Sequence, residues 1–587
     1  MTCSPQQQHA PAPAPPARTH ALRRVLVVVS ASALATVAGC STLPRDTSPQ
    51  VVATFEPHEH VDDAVVEPRQ DSAPDLLLRD FYSAAAIPSA DYAAARTFLS
   101  PDIANSWDPT DKVLVVDSID LVTSSKDDET LEYSVRGNII GQLAKGGAYT
   151  PDNSRLEATI RLRQFDGQWR IVDLPNGAVI ERTELRNRYR PQPLYFFDST
   201  QRALVSDRRW LYSGKNEMAE ELVTLLTQGP SEVIRPAATS LLPDAATFLG
   251  RNNGVYEFTG LAGMSQDERL KFAAQLVWTL NNAEMDSTVR ATADGGPLVD
   301  GMEEMTIDDF GEFNPEKSSR SVSQLYALND GAIWKIAANG NEALGGDAGH
   351  AQDIQSADIS GDDAVAIVRK RSEEESQLYV GELGRGLRES VKGKTLARPT
   401  FELGGQAAWT VVDGHRVVRV TRSTATGELA SAEVDTSALD KVRGEISVIR
   451  LSRTGARLAM IIDGDVYIGV VSRASSGDKR IVNVHRVGPE LTGSALSLDW
   501  QDDGSLLVGT SASKSPVWRI EQDGSSATTL PAGNITAPVV AVAASPSTLY
   551  VTDAHAILQL PAQGEENYYW REVDGLQGQR SAPIVAH

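Results

Sequence analysis

The 587-residue chain has only two cysteines, Cys3 and Cys40. Two thiols exclude a disulfide framework and a cysteine-built metal site. Beyond the first 40 residues no run of eighteen unbroken apolar residues occurs, which excludes a membrane-spanning helix there. Positive charge is scarce: 55 Lys and Arg stand against 78 Asp and Glu, a net charge of −23. Such a balance disfavours nucleic acid and anionic lipid headgroups as partners. Catalytic signatures are missing too. There is no Gly-x-Ser-x-Gly elbow and no His-Glu-x-x-His helix motif, which disfavours an α/β-hydrolase and a zincin.

Near the N-terminus a leader is present. Arg18, Arg23 and Arg24 form a basic region without acids, an apolar run of some thirteen residues spans 25–37, and Val37-Ala38-Gly39 precede Cys40. The run is too short to span a bilayer and right for a signal peptide. Small residues before a cysteine form the processing pattern of a bacterial lipoprotein. Cys40 is therefore expected to become the first residue of the mature chain, carrying an S-diacylglycerol and an N-palmitoyl group. Two or more acyl chains make a lasting anchor where one does not. Arg23-Arg24 lies outside a full twin-arginine motif, so Sec export is expected. This places the protein on the extracytoplasmic face of the cell membrane. Loss of the leader moves the net charge to about −26.

Domain limits follow from texture. Residues 1–39 are the signal peptide and 40–72 a tether, rich in proline and charge. His58 and His60, beside Glu56, Glu59 and Asp62, are read as part of a solvated charge run, since a floppy segment cannot preorganise ligands. Residues 73–185 begin with a helical stretch, 73–99, broken near Pro88. Strands are predicted at 112–116, 130–135, 155–164 and 168–174, with Asp166-Gly167 as a tight hairpin. Helices followed by a curved antiparallel sheet suggest an α+β, NTF2-like cone, with Trp107 and Trp169 either lining its pocket or serving as plain core. Residues 190–305 alternate strand and helix, an α/β pattern. Helices are expected at 218–226, stopped by Gly229-Pro230, and at 267–280, with strands at 194–197, 203–209, 255–259 and 289–293.

Residues 320–587 read as all-β. Asp-Gly pairs at 330, 413, 463, 503, 523 and 574 are hairpin signals. Related runs at 357–361, 449–453, 498–502 and 542–546, plus a strand centred on Trp409, recur every 40–50 residues. Four short strands per such period mean propeller blades, five or six of them. Segments 324–327 and 333–336 are expected to complete a blade with the C-terminus. Two stacked sandwiches are the alternative. A propeller could bring Asp358, Asp413, Asp463 and Asp499 to one rim, although aspartates in Asp-Gly turns mostly serve the turn. Gly393-Lys394-Thr395 and Gly384-Arg385-Gly386 imitate fragments of phosphate loops, but Arg388 and Glu389 stand where glycines belong. Both are expected in a solvated link between strands.

This order of parts resembles the actinobacterial lipoprotein LpqB family. The resemblance is carried by 221–226 with Gly229-Pro230 and by 273–280, which look like a GerMN domain. Residues 377–381, 396–400, 446–459 and 498–500 look like the family's propeller. Ser452-Arg453-Thr454-Gly455 replaces the family's Ser-Pro-Asp-Gly turn, and the retained glycine should preserve the hairpin. The resemblance implies a two-component system of the MtrA–MtrB type, with the lipoprotein contacting the extracytoplasmic domain of the sensor kinase in cell-envelope homeostasis, and it suggests contact with peptidoglycan. No catalytic, cofactor-binding or metal residues are expected. The alternative function is a cell-envelope glycan-binding protein or processing enzyme, which would need paired carboxylates in a pocket.

Overall fold

The computed structural model describes residues 67–586 except 128, 215–216, 316–322, 338–339, 475–476 and 563–568. Cys40, His58, His60 and His587 lie outside the described residues. All described residues belong to one compact unit.

Helices Pro74–Ala84 and Ser89–Arg96 open the first domain, each placing apolar side chains inward: Leu77, Leu78 and Phe81 from one, Tyr92 and Ala95 from the other. Leu99 falls beyond the second helix, bridging to Ile171, so the helical stretch ends earlier than expected. The 14-residue strand Thr130–Leu143 is the spine of a seven-stranded sheet. Its length lets one half pair with Asp120–Lys126 and Arg155–Phe165, the other with Val113–Val116 and Tyr149–Pro151. Asp166 and Gly167 both adopt positive φ, as a two-residue hairpin requires. One pairing departs from the expected antiparallel sheet: Val113–Val116 runs parallel to Ala178–Glu181. Trp107 is core, stacked near Phe81 and Tyr92, and its indole N–H donates to the Pro175 carbonyl at 3.2 Å. Trp169 packs partly buried at the margin of the same core.

In the second domain the hairpin Tyr189–Asp198/Leu204–Tyr212 lies against helix Gln266–Asn282. That helix starts with a capping box, Ser265 and Glu268 each satisfying the other's backbone N–H. It connects Val255–Thr259 to Arg290–Ala293, which pair in parallel, so the unit is a β-α-β crossover. Its two buried polar residues are satisfied by the hairpin: Thr279 Oγ1 accepts from Tyr195 N at 3.1 Å, and Gln275 Nε2 donates to Tyr195 O at 3.0 Å. Helix Met218–Gln228 stops at Gly229, whose φ of 88° ends the helical run.

Six four-stranded antiparallel sheets make up the third region among the described residues. The innermost strand of the first is Ala582–Val585, which pairs with Leu325–Asn329. The other innermost strands are Ile354–Ile359, Thr400–Phe401, Ile446–Leu451, Ala495–Trp500 and Ala541–Ala544. Each of these six neighbours the next, and the last neighbours Ala582–Val585, so the ring closes. Asp330-Gly331, Asp413-Gly414 and Asp463-Gly464 carry positive φ at both positions, the type I′ geometry that matches strand twist. Two expectations need correction. Trp409 lies on the second strand of the third sheet, Ala407–Val412, because Thr400–Phe401 is the innermost. Residues 387–393 form the outermost strand of the second sheet, not a link: charged side chains suit an edge strand, which faces water on one side.

Candidate functional site

On four of the innermost strands Asp358, Thr400, Arg450 and Asp499 are all nearly fully buried. Arg450 Nη1 lies 3.1 Å from Asp358 Oδ1, and its Nε lies 3.0 Å from Asp499 Oδ1. Its Nη1 also donates to Pro399 O at 3.1 Å. Burial disfavours the Arg450 charge, but the two carboxylates outweigh it and hold the guanidinium above its ordinary value. Arg398 sits beside it, 3.6 Å from Asp358 and donating to Ala357 O at 3.1 Å. Burial and the Arg450 charge push Arg398 down to about 10, so both stay charged at neutral pH.

These positions also fasten sheet to sheet. Asp358 Oδ2 accepts from Phe401 N at 3.2 Å, Thr400 Oγ1 from Leu451 N at 3.1 Å, and Asp499 Oδ2 from Ala544 N at 3.3 Å. Between the fourth and fifth sheets the Trp500 indole donates to Arg450 O at 2.9 Å. At three boundaries a side chain of one blade thus catches a backbone N–H of the following blade.

A second constellation joins the domains. Arg208, on the second domain's hairpin, lies 2.7 Å from Glu521 and 3.2 Å from Asp523. The Trp210 indole donates to Asp523 Oδ2 at 3.0 Å. Arg209 and Asp207 pair at 2.7 Å, both buried, and Asp207 further accepts from the backbone N–H and hydroxyl of Ser231. The first domain joins through Gly147, whose carbonyl accepts from Trp210 N at 2.7 Å; its φ is +79°, and a Cβ there would meet Trp210 O at 2.3 Å. A space of about 40 Å³ where the three domains meet is lined by Tyr149, Asp207, Asn483 and His485. Burial pushes the His485 imidazole below its ordinary value.

Between the second domain and the propeller lies a cleft of about 490 Å³. One wall comes from Pro191, Pro193, Tyr195, Asn281 and Asn282, the other from Arg453, Arg457, Trp500 and Gln501. Ser452, Arg453, Trp500, Gln501 and Asp502 also line a smaller space of about 60 Å³ over the Asp358–Arg450–Asp499 cluster. The Ser452–Gly455 turn survives its altered residues: Gly455 has a φ of 69° and donates to Ser452 O at 2.7 Å. Its Arg453 pairs with Asp502 of the next sheet.

Of the four aspartates considered for one rim, the structure brings Asp358 and Asp499 together and separates the others. Asp413 Oδ1 accepts from Thr395 N and Asp463 Oδ1 from Glu445 N, so each catches a backbone N–H ahead of its own sheet's innermost strand instead of joining the cluster. The two that meet are bridged by Arg450. Lys394, just past the outermost strand, pairs with Glu374 in the turn before Glu375–Glu382. His485 lines the three-domain junction. Among the described residues no three His, Cys, Asp or Glu side chains are grouped to hold a metal ion, and no helix is long and apolar enough to cross a membrane. Sequence reasoning missed Arg398, Arg450, Arg457, Arg208 and the outward reach of Asp523. A signal existed for Arg450: a cation stood in the repeat where the corresponding runs carry Asp358 and Asp499.

Three family models match along the chain. Residues 67–186 match the N-terminal domain of lipoprotein LpqB, 193–299 match a sporulation and spore germination domain, and 331–586 match the lipoprotein LpqB beta-propeller domain. Full-length relatives are similar throughout. Lipoprotein LpqB of Corynebacterium diphtheriae is 39% identical over 581 residues, covering 97% of this chain and 100% of that protein. The Rhodococcus opacus protein of the same name is 34% identical, covering 96% and 98%, and that of Mycolicibacterium smegmatis 32%, covering 96% and 100%.

Proposed function

Because the chain belongs to the lipoprotein LpqB family, we propose that it is a membrane-anchored extracytoplasmic protein that modulates a two-component sensor kinase, of the MtrA–MtrB type, by direct contact. In this reading Cys40 carries the lipid, the segment up to residue 72 sets the reach, and the folded domains act by binding, not by catalysis. The observation that carries it is the locking of three domains into one unit, the second to the propeller through Arg208, Trp210 and Asp523 and the first to the second through Gly147. A preorganised body of several domains offers one broad surface whose loops carry specificity. Its net charge favours a basic patch on the partner.

The test is calorimetric titration of the mature soluble chain against the extracytoplasmic domain of the kinase. A dissociation constant on the order of 10 µM or tighter supports the reading. No heat and no complex at tens of micromolar, by about the same scale, overturns it.

A second reading, glycan binding or processing at the cell envelope, has the 490 Å³ cleft in its favour. Turnover of peptidoglycan fragments by the purified protein would put it first.

A further inference from the structure

Arg457 opens the second strand of the fourth sheet, two residues after the Ser452–Gly455 turn, and lines the cleft. It differs from the other cations there. Arg208 is held by Glu521 and Asp523, and Arg453 by Asp502. Arg457 donates once, from Nη2 to Ser206 O at 2.8 Å, and forms no ion pair among the described residues. The acids nearest in influence are already engaged: Asp207 by Arg209 and Ser231, Asp523 by Arg208 and Trp210. Burial accordingly holds its guanidinium below the ordinary value, the attraction of Asp207 and Asp523 falling short of compensation. A partly buried guanidinium without a carboxylate is costly, and an anion entering the cleft would offset that cost.

A second observation concerns Gln501, which lines the same cleft from the fifth sheet. Its Nε2 is buried and has no hydrogen-bond partner among the described residues. A buried donor of this kind calls for an acceptor. Both residues stand on the propeller wall of the cleft.

We propose that this cleft binds a small carboxylate-bearing ligand, its carboxylate seated on Arg457 and a further acceptor on Gln501. The volume suits a small molecule, since such sites occupy roughly 300–1,000 Å³ and favour domain boundaries. A monoanion fits better than a phosphate dianion, because Asp502, Asp503 and Glu284 also line the cleft and would repel a second negative charge. Tyr195 and Trp500 supply apolar surface.

The experiment uses the full chain in detergent, with thermal shift and calorimetry at constant ionic strength. The probes are N-acetylglycine and glucuronate, set against their neutral counterparts N-acetylglycinamide and glucose. The expected result is a rise in melting temperature and a dissociation constant below about 1 mM for a carboxylate, with none for its neutral partner. Binding of N-acetylglycine points to a peptide carboxyl terminus as source, and binding of glucuronate to an acidic sugar. Arg457→Gln is expected to weaken binding at least about tenfold, the loss of one charge-assisted hydrogen bond. Arg457→Lys retains part of it. Thr454→Trp, which fills the cleft and leaves Arg457 in place, is expected to abolish it and covers the case in which Arg457→Gln fails to fold. Absence of binding by both carboxylates, or undiminished binding to well-folded Arg457→Gln or Thr454→Trp, overturns the proposal.

Discussion

Arg450 reaches Asp358 at 3.1 Å although the two residues stand on the innermost strands of the fourth and second sheets. A long cationic side chain thereby ties together blades that share no backbone hydrogen bonds. Asp499, 3.0 Å away on the fifth sheet, makes the tie three-way.

Removal of Arg450 should therefore be severe. Arg450→Met strands two buried carboxylates, and breaking a buried pair from one side costs about 3–5 kcal/mol. Chemical denaturation should show the loss. Replacing all three members, Arg450→Met with Asp358→Leu and Asp499→Leu, should restore much of it, since no unpaired charge then remains. If the triple variant is no more stable than the single one, desolvation is not the governing cost.

Asp523 does two things at once. Its Oδ1 accepts from Ser525 N and Oγ, serving its own turn, while Oδ2 accepts from Trp210 across the domain boundary. Asp523→Ala should lose about 1–3 kcal/mol, the cost of leaving Arg208 and the Trp210 indole short of a partner. Hydrogen exchange should rise first along 204–212 and 147–151, and calorimetry should separate the propeller's transition from the rest. Exchange spread evenly over the chain would contradict this.

Acid should weaken the fold in two windows. Burial lowers the folded-state value of His485 beneath its ordinary 6.5, so the unfolded chain binds the extra proton first. Its contribution is complete above pH 6.5 and falls away below it, down to the folded value. Glu402 is buried, which alone would raise it, but Arg419 at 2.6 and 2.9 Å and the Trp409 indole hold it below 4.5. Its contribution is present above pH 4.5 and is lost as pH falls through the folded value. His485→Gln should flatten the stability profile in the upper window only. An unchanged slope between pH 7 and 5 would show that another group governs it.

Cys40→Ala tests the anchor. The expected outcome is release of the protein into the medium, or retention of the uncleaved leader, read by fractionation and intact mass. A variant that is processed normally and stays with the membrane would remove Cys40 from its assigned role.

Much of the fold was legible where local chemistry governs it. Asp330-Gly331, Asp413-Gly414 and Asp463-Gly464 were readable as hairpins because only such residues accept positive φ at both turn positions. Helix Gln266–Asn282 was readable from its apolar spacing. The third blade's innermost strand was not, since two residues, Thr400 and Phe401, are too few to show any period. Strand Leu387–Gly393 was hidden by the charges that suit an outer edge. The pairings around Arg450 and Asp523 were hidden for a different reason: the partners come from other blades and other domains, and beyond the cation at 450, where corresponding runs carry Asp358 and Asp499, no spacing in one segment records them.

Ala582–Val585 pairs with Leu325–Asn329 to finish the first blade. Six blades therefore wait on the last to be made: until residue 585 is in place the ring stands open, with Leu325–Asn329 offering an unclaimed edge. Loss of so short a tail would cost far more than its length suggests, exposing a sticky strand to other chains, and a propeller cut there should be cleared or aggregate instead of surviving as a slightly smaller circle.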